Sequence, residues 1–347
     1  MPSHELVGNL HMHTPFSDGE WYHAEIAAAA EAAGLDFIAT TDHNVWVKGP
    51  EGYHGDVLVL VGEEVHDNQR QPQANHMLIY GAEAEMCLYA ESPQGLIDAA
   101  RERNALAFIA HPIDPPLPLM GEDDLSWVDW EVEGYTGIEL WNYMSEFKGR
   151  IPNWLMAIWY AFHPDQAIRG PLRKSLDLWD RLLSSGRRVN ALGGADAHGF
   201  TLSLGPFSRT IFPYEYLFRC VNVHLLVDRP LKREVSTDKR SIYDALSTGR
   251  GWIGYDLIGS TKGFRFIARS MANSARVGED IKRAGAVNFE VETPARANIR
   301  LVRAGKGVVA RSRGRTLKYT TAEAGAYRVE VTRGSRGWIY SNPIYVR

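Results

Sequence analysis

The chain has 347 residues, more than one hydrophobic core usually supports, so two domains are expected. Its 45% apolar and 23% charged content is that of a globular protein, and its two cysteines, Cys87 and Cys220, exclude a disulfide scaffold or a cysteine-based zinc finger. A net charge of −4 leads us to expect no nucleic-acid partner, and no apolar run approaches the roughly 20 residues that span a bilayer. The first residues lack the basic start and apolar stretch of a signal peptide, so a cytoplasmic protein with no membrane association is expected.

In chain order, the first strand-like run leads into His11-Met12-His13. Side chains on a strand alternate with period two, so both imidazoles point to one side and can grip one metal ion. His23 to Ala33 is alanine-rich and favours a helix ended by Gly34. Leu35 to Thr41 runs into Asp42-His43, and Val57 to Gly62 runs into Glu63-Glu64. His76 precedes the apolar run Met77 to Tyr80. Ser92 starts a helix with Pro93 in its first turn. Leu106 to Ala110 leads into His111-Pro112, and Ile138 to Asn142 is a short strand carrying Glu139. Ser175 to Ser185 has helical apolar spacing closed by Gly186. Val189 to Gly194 leads into Asp196 and His198, and Ser241 to Ser247 is a short helix ended by Gly249. Alternating strands and helices predict a parallel sheet with crossover helices. Ligand-type residues recurring where apolar strands end are the arrangement of a β/α barrel mouth.

Between them, Trp127 to Trp159 is rich in aromatic residues, with Met120 and the Pro112 to Pro118 segment beside it. It reads either as core packing or as an insertion lining a pocket for an apolar substrate. From about residue 256 the pattern changes to short alternating runs: Phe264 to Ala268, Val287 to Glu292, Ala297 to Val302, Ala326 to Val331 and Trp338 to Tyr340. They predict a small antiparallel sandwich that, holding no histidine, supplies no imidazole.

Taken in order, His11-x-His13, Asp18, Thr41-Asp42-His43, Gly62-x-Glu64, His76, Ala110-His111-Pro112 and Asp196-x-His198 resemble the polymerase-and-histidinol-phosphatase (PHP) family, relatives of the amidohydrolases. The opening Asn9 to Thr14 and the sandwich-like tail are similar to its carbaryl-hydrolase branch. The resemblance implies an α/β fold: a distorted (β/α)7 barrel over residues 1–255 and a C-terminal antiparallel β-sandwich over residues 256–347. It further implies two or three divalent ions of zinc, manganese or iron. The first would use His11, His13, Glu64 and Asp196; the second Glu64 as a bridge, with His76 and His111; the third Asp18, His43 and His198. Asp196, His198 and Glu64 would be the catalytic residues. The family's Gly-x-Glu spacing selects Glu64; strand alternation alone leaves Glu63 and Glu64 open, and His66 and Asp67 lie close by.

Such ions lower the pKa of water and need no nucleophilic side chain. No Gly-x-Ser-x-Gly elbow, Walker lysine or Gly-x-Gly-x-x-Gly turn is present, which disfavours serine hydrolysis, nucleotide-driven transfer and Rossmann redox chemistry. The leading expectation is a metal-dependent phosphoesterase acting on a small phosphorylated molecule. The alternatives are a carbamate, ester or amide hydrolase and a non-catalytic metal-binding accessory protein. Arg209 is the candidate substrate-binding cation, with Arg169 and Arg173 as further nominees. Asp42 is a candidate to orient a ligand histidine, and Asn44 and Glu139 to sit near the mouth. His4, His23, His54, His163 and His224 are expected to be surface or packing residues.

Overall fold

The computed structural model describes residues 4–204 and 207–347, of which 202–204 and 207–209 by their backbone alone. The first strand, β1 (His4–Asn9), is followed by α1 (His23–Ala33), β2 (Phe37–Thr40), β3 (Gly52–His54), β4 (Val57–Val65), β5 (Met77–Tyr80), α2 (Pro93–Glu102), β6 (Leu106–Ile109) and β7 (Gly137–Asn142). Helices α3 (Tyr143–Lys148), α4 (Trp154–Phe162) and α5 (Arg173–Ser184) lead to β8 (Asn190–Gly194), and β9 (Thr201–Leu204) pairs with β10 (Phe207–Thr210). After α6 (Tyr214–Leu217) come β11 (Val221–Val227), α7 (Val235–Thr248) and β12 (Gly251–Tyr255).

Strands β1, β2 and β4 pair in parallel, as do β6, β7 and β8. Just past β8, Ala197 forms a parallel bridge to Met12, so the chain returns beside the end of β1. The fold is mixed α/β, and not the all-parallel sheet expected from alternation: β5 runs antiparallel to both β4 and β6. The β4–β5 connection carries no helix, and a parallel return needs a crossover of about a dozen residues or more. Along β4, Val57 and Val59 join a core with α1, α2 and α5, while Leu58 and Leu60 join one closed by Ile242, Ala245 and Leu246 of α7. A strand apolar on both faces reads as a continuous hydrophobic run, as Val57 to Val61 does.

Gly34 ends α1 in the left-handed conformation, as its position predicts. Helix α7 begins earlier than the expected Ser241, because buried Asp238 accepts the backbone N–H groups of Lys232 and Glu234 and stabilises its first turn. The aromatic stretch divides: Trp127, Tyr135, Trp141 and Tyr143 are buried, whereas Trp154 and Trp159 of α4 are exposed.

The C-terminal strands are β13 (Arg265–Arg269), β14 (Ser274–Arg276), β15 (Asp280–Ile281), β16 (Val287–Arg303), β17 (Gly307–Thr321), β18 (Gly325–Arg333), β19 (Arg336–Ser341) and β20 (Ile344–Val346). They enclose an apolar core that includes Phe266, Phe289, Ile299, Leu301, Val329 and Trp338 and is joined by Trp252 of β12. Pairing is antiparallel apart from β15–β20, and β19 pairs with β12, so hydrogen bonding continues into the first region. The runs at 287–292 and 297–302 form one strand with a register shift between Glu292 and Ala297, around Pro294. Strand β17 was not expected, because Ala310-Arg311-Ser312-Arg313-Gly314-Arg315 carries no apolar alternation.

Candidate metal centre

Most groups at the site lie where a buried strand ends, whereas Asp18 is carried by the loop between β1 and α1 and His76 stands just before β5. His11 and His13 are fully buried, and Met12 between them points the opposite way into the helix-facing core, as period two requires. Asn9 Oδ1 accepts the N–H groups of His11 (3.4 Å) and Ala195 (3.2 Å), tying the end of β1 to that of β8. Asp196 adopts a left-handed backbone, φ 53°, and its N–H donates to the His11 carbonyl. His43 and Glu64 form a parallel bridge, so the β2 and β4 ends meet.

Glu64 is the centre of the arrangement. Its Oε2 lies 3.0 Å from His11 Nε2, 3.2 Å from His13 Nε2 and 3.4 Å from His43 Nδ1. Its Oε1 lies 2.9 Å from both His76 Nδ1 and His111 Nε2. Asp196 Oδ1 approaches the same His11 and His13 nitrogens at 3.5 and 3.3 Å. Half-exposed Asp18 reaches His13 Nδ1 (3.5 Å), His198 Nε2 (3.4 Å) and His43 Nε2 (3.7 Å). Three sets each bring one ligand atom per residue within 4.8 Å of one another: His11, His13, Glu64 and Asp196; Glu64, His76 and His111; and His13, Asp18, His43 and His198. All nine residues singled out as metal ligands are therefore gathered in one place.

The electrostatics show what this place demands. Burial opposes charge on Glu64 and Asp196, yet His11 and its neighbours hold both carboxyls well below the usual range. Burial likewise disfavours imidazolium, but the carboxylates outweigh it: His11 is raised well above its ordinary value, His13 to about 10 and His111 to about 8. Burial dominates at His43 and pushes it down to about 3. The carboxylates thus collect positive charge, as protons or as metal cations. Buried His13 Nε2, His43 Nδ1 and His111 Nδ1 have no hydrogen-bond partner among the described residues. Imidazole nitrogens without a hydrogen-bond partner, set among carboxylates, fit divalent cations of the zinc, manganese or iron type.

Supporting residues fix the ligands. Glu139, fully buried, accepts from His11 Nδ1 at 3.0 Å, from the His111 N–H and from Asn142 Nδ2. This carboxylate–histidine contact leaves His11 Nε2 directed at Glu64 and Asp196. Gly194 makes room for it: a Cβ there would lie 2.4 Å from Glu139 Oε1 and 2.6 Å from His11 Cβ. His76 Nε2 donates to the Gln73 carbonyl at 2.7 Å, presenting Nδ1 to Glu64.

The two neighbouring glutamates separate. Glu63 faces away, accepting the N–H groups of Met86 and Cys87, and burial raises it to about 7. Asp42 makes no hydrogen bond to a ligand histidine among the described residues; it accepts from Thr14 N–H, Thr14 Oγ1 and Ser17 Oγ, shaping the loop that carries Asp18. Asn44 serves the 66–68 loop, accepting the His66 N–H and donating to Asn68. His66 is buried and stacks on His76 with ring centroids 4.2 Å apart. It lies two residues beyond Glu64, so period two was its signal. The Arg209 side chain lies outside the described residues. Arg169 donates to Ser335 and Arg173 pairs with Asp177, so both nominated cations have partners elsewhere. Lys148 was not nominated; it pairs with Asp114 at 2.6 Å, and Asp196 helps raise its pKa. His224 is fully buried between Glu5 and Asp256, and His23 is buried against Thr40.

Fold and site together define a mixed α/β protein that gathers six imidazoles and three carboxylates where its strands end. No family model matches the chain. A 94-residue stretch, 27% of the chain, is 29% identical to the DNA polymerase/3'-5' exonuclease PolX of Bacillus subtilis and spans 15% of that protein. Among solved structures the chain is similar to a two-domain protein of Bacteroides vulgatus containing a predicted PHP-like metal-dependent phosphoesterase. The TM-score is 0.45 and the identity 15%, over 98% of this chain and 95% of that one. It is also similar to an amidohydrolase of Chromobacterium violaceum, with a TM-score of 0.31 and 16% identity over 57% of this chain and 92% of that one.

Proposed function

We propose that the chain is a metal-dependent hydrolase of the PHP type, a phosphoesterase whose strands β1, β2 and β4 to β8 form a distorted (β/α)7 barrel backed by a C-terminal β-sandwich. The observation that carries the reading is Glu64, whose two oxygens meet five imidazole nitrogens within 3.4 Å. His11, His13, Glu64 and Asp196 would hold one ion, Glu64, His76 and His111 a second, and Asp18, His43 and His198 a third. Bound there, divalent ions would lower the pKa of water and stabilise charge that develops on the substrate oxygen. The protein's own part follows from its geometry. Glu139 and the Gln73 carbonyl hold the His11 and His76 rings in place. Asp196 Oδ1 lies near the His11, His13 and His198 rings and in this reading would take a proton from water. His198 donates Nδ1–H to the Asp196 carbonyl, which keeps Nε2 available at the half-exposed edge beside Asp18.

A second reading, hydrolysis of an aryl carbamate or ester, draws on exposed Phe16 and Phe200, which lie two residues from Asp18 and His198 and offer apolar surface to an aromatic group. The test is metal analysis by mass spectrometry, followed by turnover of p-nitrophenyl phosphate, bis-p-nitrophenyl phosphate and naphthyl carbamate by the wild type and by Asp196→Ala. Phosphoester turnover that tracks metal content is the expected result. Carbamate turnover alone selects the second reading, and full activity in Asp196→Ala overturns the site.

A further inference from the structure

The whole-chain charge of −4 averages two opposed regions. Residues 1–255 carry 20 Lys and Arg against 35 Asp and Glu, whereas residues 256–347 carry 18 against 7. The excess in the second region is concentrated on the β16–β17 ribbon, and the two halves of that ribbon differ. Toward the start of β16, charges are balanced: Glu290 pairs with Arg269 and Lys318, and Glu292 lies opposite Arg265. Beyond the register shift the outward residues are Arg296, Asn298 and Arg300, alternating with buried Ala297, Ile299 and Leu301. Arg311 lies directly opposite Arg300, Arg313 opposite Asn298, and Arg315 follows two residues on. Arg296, Arg311, Arg313 and Arg315 are exposed and have no ion pair among the described residues. The carboxylate across from Arg300 is Glu330, which is already engaged by Arg328.

Like charges placed directly opposite on a sheet destabilise it, so packing gives no reason for this arrangement. The arginines form a line and not a pocket: alternate residues on a strand are spaced about 7 Å apart, so 311 to 315 cover about 14 Å. A line of guanidinium groups matches a chain of phosphates, each able to accept a bidentate pair. Binding to an anionic membrane surface would call for apolar anchors beside the charge. The one large exposed hydrophobic residue in the described part of this region is Met271, on the turn between β13 and β14.

We propose that the outward face of the β16–β17 ribbon binds the phosphate backbone of a nucleic acid. The proposal stands independently of the metal centre, which lies on other elements. The test is fluorescence anisotropy of a labelled oligonucleotide of about 20 nucleotides, single-stranded and duplex, titrated with the full chain at about 50 mM salt and above. We expect binding that weakens steeply with salt. Arg311→Glu/Arg313→Glu/Arg315→Glu should weaken it at least about tenfold and remove about 2 from the slope of log affinity against log salt on single strands, about 0.7 per lost phosphate contact. Arg311→Gln/Arg313→Gln, a milder change, should give a smaller loss in the same direction. Metal content and melting temperature of each variant report that it is folded. Absence of binding at low salt, equal affinity and salt slope in the folded variants, or tighter binding to phosphatidylserine vesicles than to the oligonucleotide overturns the proposal.

Discussion

The strand ends around Glu64 and the outward face of β16–β17 are both crowded with ionisable groups, and the protein treats them in opposite ways. Around Glu64 most of the ionisable groups are buried, each carboxylate is set among imidazole nitrogens, and the supporting groups Glu139, Asn142 and the Gln73 carbonyl are fixed by hydrogen bonds. On the ribbon Arg296, Arg311, Arg313 and Arg315 are exposed and have no ion pair among the described residues. A buried charge costs several kcal/mol unless compensated, so the first region specifies geometry and fits compact cations. An exposed charge costs little and is screened by salt, so the second fits an extended partner bound weakly at each point.

The largest effect should come from the group on which the first region converges. Glu64→Gln should lower both bound metal and hydrolysis by orders of magnitude, while Glu63→Gln should leave metal content near wild type. Mass spectrometry of the two purified variants checks this, and equal losses would remove Glu64 from the centre. Next come the positioning residues. Glu139→Gln or Gly194→Ala should disturb the His11 ring and weaken metal binding about 10–100-fold. Titration with a chelator-buffered metal is the readout, and unchanged affinity in both variants would refute this role.

Metal uptake should also depend on pH. His111 and His13, raised against burial to about 8 and about 10 by hydrogen bonds and charge from Glu64 and Asp196, must lose protons before they ligate. Apparent affinity should therefore rise as pH increases through about 8. A flat profile would contradict proton competition at these imidazoles.

A smaller pH effect should arise where the two regions join. Burial lowers the pKa of His224, but Asp256 and Glu5 outweigh it and raise the folded value from 6.5 to about 8. A raised pKa stabilises the fold fully below the unfolded value, and the contribution is lost as pH rises through the folded value. Stability should thus fall by about 1 kcal/mol between pH 6.5 and 8, and His224→Gln should flatten that decline. Urea unfolding at both pH values measures it. Finally, a chain ending near Tyr255 loses the β12–β19 pairing and should melt at lower temperature, yet bind metal in its folded fraction. Loss of metal from folded truncated protein would show that the C-terminal strands belong to the centre.

Much of the site was legible in the sequence because most of its groups sit at a local feature: a His-x-His on a strand, or a carboxylate or imidazole beside an apolar run. Period two placed His11 and His13 on one side, and the ordered motif set gathered nine residues that tertiary structure then brought into contact. Alternation could not choose between Glu63 and Glu64, since adjacent residues on a strand face opposite ways and either face could be the inner one. Pairing with neighbouring strands decided that, and made Glu139 a support for His11 and Asp42 a support for the Asp18 loop. It also reversed β5, which no local pattern encodes because strand direction depends on the connection and the partners available. The middle of strand β17, Arg311 to Arg315, is held by backbone pairing to β16, so that part of its sequence carries no strand signal. Composition alone recorded a charge of −4; the cross-strand register that sets Arg311 against Arg300 exists only in the folded chain, where residues far apart in sequence share one face.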